Sequence, residues 1–184
     1  MRSSTRNLLF ALLPGSIFLS CRDGHIQELN ASERERIAKQ IHAYTGTLLQ
    51  NYSDIALLPH EKNQFSRIAD QRPEKFARIV EFEKKFYSRK AFVPQKITGH
   101  PNVVTDYAIS SIKGGAGSQV IAQIKFHAIG RIENGKIKDL PGRKTIQETL
   151  ALRNESHEWR IATPFSQIYM SRMGARKYLQ ASRH

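Results

Sequence analysis

The residue of this chain best placed to move a proton is Glu148, in the run Thr145-Ile146-Gln147-Glu148-Thr149-Leu150-Ala151-Leu152. Taken two at a time, Lys144, Ile146, Glu148, Leu150 and Leu152 fall on one face of a strand. A carboxyl group aimed into an apolar interior is desolvated, which raises its pKa and lets it hold or donate a proton near neutral pH. Tyr44 and Tyr107 can face the same space, so Tyr44, Tyr107 and Glu148 form the candidate pocket. The competing reading pairs Glu148 with a lysine at the sheet edge, where it does no chemistry. Asp54 and Asp106 are further carboxylates that nothing nearby singles out. No catalytic residue is assigned from these patterns alone.

Other chemistries find less support. The histidines, at positions 25, 42, 60, 100, 127, 157 and 184, include no pair four residues apart and have no cysteine close by, so neither a metal site nor a cofactor is expected. His127 lies on the opposite strand face from Phe126 and reads as a surface residue. Gly114-Gly115-Ala116-Gly117 lacks the lysine and the following helix that a phosphate loop needs, and reads as a hairpin turn. Ser110 and Ser111 lack the flanking glycines of a nucleophile elbow.

The elements that must position these groups centre on Ser118 to Ile132. There Val120, Ala122, Ile124, Phe126, Ala128, Gly130 and Ile132 share one face, a long strand with one dry side. Its neighbours are Val103 to Lys113, with blurred alternation, and Arg143 to Arg153. Asn134-Gly135 and Pro141-Gly142 are turn signals, so Gly130 to Arg143 reads as a loop or small projecting hairpin. Asn154 to His157 is a short reversal, after which Trp159, Ile161 and Thr163 alternate, with Trp159 expected to be buried. Helices come earlier. Ser32-Glu33-Arg34-Glu35 has the capping-box form, and Ile37, Ile41, Tyr44, Leu48 and Leu49 follow at helical spacing to about Tyr52. His60 to Gln71 suggests a short helix. Pro73 suits a first helical position before the stripe Phe76, Ile79, Val80, Glu83, Phe86 and Tyr87. Phe92 to Thr98 suits an edge strand. The expected fold class is therefore α+β, with N-terminal helices packed on an antiparallel sheet, which the resemblance given below implies is curved.

The chain has 184 residues, 40% of them hydrophobic, enough for one ordinary core. Arg2 and Arg6 precede a mostly apolar run from Leu8 to Leu19, and no acid occurs before Asp23, which is the pattern of an export signal. The one cysteine, Cys21, follows directly in Ile17-Phe18-Leu19-Ser20-Cys21. This stretch resembles the lipobox of bacterial lipoproteins, in which the cysteine becomes the acylated first residue after a small residue, here Ser20. The resemblance implies lipidation at Cys21, an anchor in the membrane and, because residue 22 is Arg rather than Asp, the periplasmic side of the outer membrane. The alternative is a cytoplasmic or plainly secreted protein in which Cys21 is incidental. The expected organisation is a signal peptide over 1–20, a lipidated tether over 21–31, a folded domain over 32–164 and a basic C-terminal segment over 165–184.

The formal charge is +13, and removing residues 1–20 takes away Arg2 and Arg6 to leave +11. Such a balance suits acidic envelope neighbours such as lipid phosphates or acidic polymers, and nucleic acid is not an expected partner of an exported chain. Solubility alone is the other explanation. The basic segment after Pro164 is expected to pack on its own domain rather than on a membrane, with Gly174 weakening any continuous helix.

Helices first, meandering strands after, and the closing strand Glu158-Trp159-Arg160-Ile161 together look like the cone-shaped nuclear transport factor two-like fold, over roughly Ser32 to Pro164. What this resemblance implies is a curled, cystatin-like cone whose interior serves some members as an enzyme site and others as a binding site or scaffold. The function expected is a lipid-anchored periplasmic binding or scaffold lipoprotein without catalysis, its partner an envelope protein or acidic envelope polymer. The alternative is a small-molecule lyase, isomerase or hydrolase using the cone. A pocket lined by titratable groups favours the enzyme, and a cone plugged by Phe and Leu side chains favours the scaffold.

Overall fold

The computed structural model describes residues 28–55, 73–89, 99–115 and 117–181, with 51–55 as backbone only. Cys21, the short helix expected over His60 to Gln71, the edge strand expected over Phe92 to Thr98 and the side chain of Asp54 lie outside the described residues.

Helix α1 (Ala31–Ile55) starts from a capping box, but two residues earlier than Ser32. Asn30 Oδ1 accepts from the Glu33 amide at 2.8 Å, and Glu33 Oε2 reaches back to the Asn30 amide at 3.4 Å. Asn is as good a cap as Ser, and this choice leaves Leu29 free to turn inward, where it is buried. Ile37, Ile41, Tyr44, Leu48 and Leu49 form the buried stripe, as their spacing requires. Helix α2 (Pro73–Phe86) begins at Pro73 and buries Ile79, Phe82 and Phe86. Phe82, absent from the expected stripe, lies inside, while Val80 and Glu83 are half-buried at its margin.

Strands β1 (Asn102–Gly114), β2 (Gln119–Glu133), β3 (Lys136–Glu155) and β4 (Glu158–Thr163) form an antiparallel meander. A short fifth strand, β5 (Tyr169–Ser171), adds to β1 in parallel, giving the order β4-β3-β2-β1-β5. The result is the α+β class with helices on a curved, almost wholly antiparallel sheet. Along β2 the seven residues read as the dry face are all buried, and the alternating ones are not. The blur in β1 has a physical origin: register shifts at Val103/Val104, Val104/Asp106 and Ile109/Ser111 each break the two-residue period.

Of the two readings of residues 130–143, the structure shows the hairpin and not the loop, and the hairpin is continuous with the sheet. The chain reverses at Asn134 and Gly135, both with positive φ (49° and 70°), the pairing that a two-residue hairpin turn demands. Pro141 and Gly142 then lie inside β3, not at a second turn. They occupy a bulge, because Ala128 pairs with Lys144 but Gly130 pairs with Asp139. A Cβ on Gly130 would stand 2.9 Å from the Lys138 carbonyl oxygen, so the close approach of the two strands beside the bulge requires glycine.

Residues 165–181 complete the same core. Phe165, Tyr169, Met170 and Ala175 are buried, and β5 leads into α3 (Arg172–Ala181), which crosses α1. Gly174 does not interrupt this helix. A Cβ there would fall 2.3 Å from the Leu49 carbonyl oxygen, so the glycine permits the crossing. Trp159 is buried as expected, at 4% exposure. Its strand is tied to the residues just after α2 by the Ser88 amide, which donates to the Ile161 carbonyl at 2.8 Å, and to the end of α2 by Arg160, whose Nη1 donates to the carbonyls of Lys84 and Lys85. A guanidinium at a helix C-terminus satisfies orphan carbonyls and complements the helix dipole.

Candidate functional site

Glu148 sits opposite Ile124 on β2, on the inner face with Leu150 and Leu152, and is 5% exposed. No lysine reaches it among the described residues. Its partners come from the turn after β4 and from β5. Ser166 donates its hydroxyl to Oε1 and Oε2 at 2.9 and 3.0 Å and its amide to Oε2 at 3.2 Å, and the Tyr169 hydroxyl donates to Oε1 at 2.7 Å. Both carboxylate oxygens are therefore engaged by neutral donors. Burial, with the carboxylate as acceptor and nearby charge, holds the Tyr169 phenol far above its usual pKa, so it remains a donor.

Tyr44 lies elsewhere in the interior. Its ring is 5.6 to 5.9 Å from those of Phe82, Phe86, Tyr87 and Phe165, and its hydroxyl is 3.2 Å from that of Tyr87. Burial pushes the Tyr87 phenol up to about 12, the Tyr44 hydroxyl offsetting part of the shift. Phe165 in turn meets Phe126 edge-on at 5.1 Å, and Phe126 stacks on Tyr169 at 3.9 Å. Contacts of this kind contribute about 0.5 to 1.5 kcal/mol each beyond area burial. The inner space between Tyr44 and Glu148 is thus occupied by rings. Tyr107 is half-buried near the sheet edge, where its hydroxyl meets His42 Nδ1 at 2.8 Å, and burial raises its pKa. The three candidate pocket residues share a face of the core but do not converge on one point.

The outer face carries a second cluster. Asp106 lies directly opposite His127 in the β1–β2 register, so the His127 Nδ1–H meets Asp106 Oδ1, while Arg143 and the Thr105 hydroxyl meet Oδ2. The His127 hydrogen bond, then that from Thr105, with the Arg143 charge adding, holds the Asp106 carboxyl below its usual range. His127 is a surface residue, as read, but a paired one. Alternation along β2 places His127 outward, and the register shift between Val104 and Asp106 brings Asp106 to the same face. Among the described residues, no group of three or more His, Cys, Asp or Glu gathers as a metal site, and no helix is long and apolar enough to cross a membrane.

Ser166 and Tyr169 escaped the sequence reading because their role depends on a turn folding back over β3, eighteen and twenty-one residues after Glu148. Compared with protein-family models, curated proteins and solved structures, the chain matches none.

Proposed function

We propose that the chain is a non-enzymatic binding or scaffold module of the bacterial envelope, a nuclear transport factor two-like cone held at the periplasmic face of the outer membrane by lipid on Cys21. The observation that carries the binding reading is the filled cone. Tyr44, Phe82, Phe86, Phe126 and Phe165 occupy the space that an enzyme of this shape keeps for substrate, and Glu148 has both oxygens engaged. A general acid or base must reach its substrate, and Glu148 at 5% exposure instead fastens the turn after β4 to β3. The export pattern, the lone cysteine and the basic charge support the envelope setting.

Fractionation at low and high salt tests the anchor. Acyl chains bury methylenes at about 0.8 kcal/mol each, whereas adhesion by basic charge fades as the Debye length shrinks to about 3 Å at 1 M salt. Wild type is expected to stay with membranes at 1 M salt and to show a mature mass increased by lipid, and Cys21→Ser to lose both properties. Release of wild type by salt, or a mature mass without lipid, refutes the anchor.

A further inference from the structure

Four positions of α1, Arg36, Lys39, Gln40 and Ala43, repeat at helical spacing beside the buried stripe. They form one wall of a surface groove of about 490 Å³, closed by the end of α2, the β3–β4 turn and β4. Arg36, Lys39 and Lys85 bring three exposed cations to it, and none has an acidic partner among the described residues. The one acid there, Glu158, is already held by Arg160. Arg36 is held in place by donating Nη2 to the His157 carbonyl at 2.7 Å, in the turn where His157 has a φ of 69°. Trp159 also lines the groove, and its Nε1, buried, has no hydrogen-bond partner among the described residues.

We propose that this groove is a binding site for a phosphate ester. A guanidinium and two ammonium groups around one concavity leave positive charge uncompensated, which concentrates anions there. A phosphate offers several charged acceptor oxygens that a guanidinium and two lysines share, whereas a single carboxylate is satisfied by Arg36 alone and leaves both lysines unmatched. The remaining volume has room for the esterified group beside Trp159. The same chemistry is offered by a lipid headgroup that ends in a phosphate monoester and by a soluble phosphate. This inference rests on the reading of the chain as a binding module and gives that module a site and a ligand class.

Trp159 is the only tryptophan of the chain and lines the groove, so its emission is a probe placed at the site. The experiment titrates the full chain in detergent with inorganic pyrophosphate, and full-chain Cys21→Ser with vesicles of phosphatidic acid and phosphatidylcholine against phosphatidylcholine only. The groove variant combines Arg36→Gln, Lys39→Gln and Lys85→Gln. A control of equal charge loss combines Lys136→Gln, Arg176→Gln and Lys177→Gln at exposed sites away from the groove. Lys39→Glu alone serves if the groove triple fails to fold. A saturable emission change is expected, weakened at least about tenfold in the groove variant and less than about twofold in the control. A response to pyrophosphate shows that a soluble phosphate suffices, and a response confined to anionic vesicles assigns the site to a lipid headgroup. No saturable response to either probe, or equal losses in the two variants, overturns the proposal. Salt release of a chain that still binds pyrophosphate refutes the anchor and leaves the groove standing.

Discussion

The two faces of the sheet each hold a carboxylate, and they hold it by different chemistry. On the inner face Glu148 is engaged by the hydroxyls of Ser166 and Tyr169 and an amide, all neutral. On the outer face Asp106, with its side chain 50% exposed, is met by His127 and Arg143. A cation brought to Glu148 would itself have to be stripped of water, a cost of several kcal/mol that attraction often fails to offset. Hydroxyls and amides cost less to bury. The difference teaches what each site can be: the inner cluster is a structural fastener in the core, and the outer one is a solvated pairing that water and salt weaken.

The contrast breaks down first if inner-face residues prove dispensable. Trp159→Ala is expected to cost about 3 to 5 kcal/mol in denaturant unfolding, since it empties a large buried site; a loss below about 1 kcal/mol would show that β4 does not face as described. Glu148→Ala comes next, at about 3 kcal/mol, because it leaves the Ser166 and Tyr169 donors buried without an acceptor. Combining Glu148→Leu with Tyr169→Phe should recover part of that loss by removing an unpaired donor along with the charge. A double variant no better than Glu148→Ala would show that the Tyr169 contact contributes little.

Alkaline unfolding sharpens the inner side of the comparison. In the unfolded chain Tyr87 ionises near 10.0, but in the folded protein it ionises near 12. Between those values the unfolded state sheds a proton that the folded state keeps. The contribution of Tyr87 to stability is therefore full below pH 10 and falls as pH rises towards 12, by about 1.4 kcal/mol per pH unit. Tyr169 shifts in the same direction. The fall should become shallower in Tyr87→Phe, and an unchanged slope would assign it to other groups. The smallest effect belongs to Asp106→Asn on the outer face. Because the Asp106 carboxyl is lowered, its contribution is present above the unfolded carboxyl pKa and is lost as pH falls through the folded one. The variant should differ little from wild type in high salt, and a loss comparable to that of Glu148→Ala would erase the distinction between the faces.

What could be read from the chain follows the same division. Strand β2 was legible residue by residue because its inner face is continuous and its period is unbroken. On β3 the same two-residue period put Glu148 on the face of Leu150 and Leu152 but left open whether it paired with a lysine at the sheet edge, and the fold class followed from the helices and strands taken together. Strand β1 was not legible, since each register shift turns the next residue over. Pro141-Gly142 mimicked a turn because a bulge uses the same residue types. Gly174 looked like a helix breaker, although its lack of a side chain is what lets α3 approach Leu49. Ser166, Tyr169, and the pairing of Asp106 with His127 depend on contacts between segments far apart in the chain, which periodicity does not encode. The groove beside Trp159 is of this kind too, assembled from α1, α2 and β4.

The claim on which the functional reading depends most is that the cone interior is filled, and small-probe binding tests it most directly. Thermal unfolding of wild type and Tyr44→Ala would be followed with and without saturating benzene. Removing the Tyr44 ring, 1% exposed and packed against Phe82, Phe86, Tyr87 and Phe165, should leave an apolar cavity that benzene can enter. A ligand bound only by the folded state raises Tm by mass action. The expected result is no change in wild type and a rise of several degrees in Tyr44→Ala. An equal rise in wild type would show an open apolar cavity already present in the folded chain and would contradict the filled cone on which the scaffold reading rests.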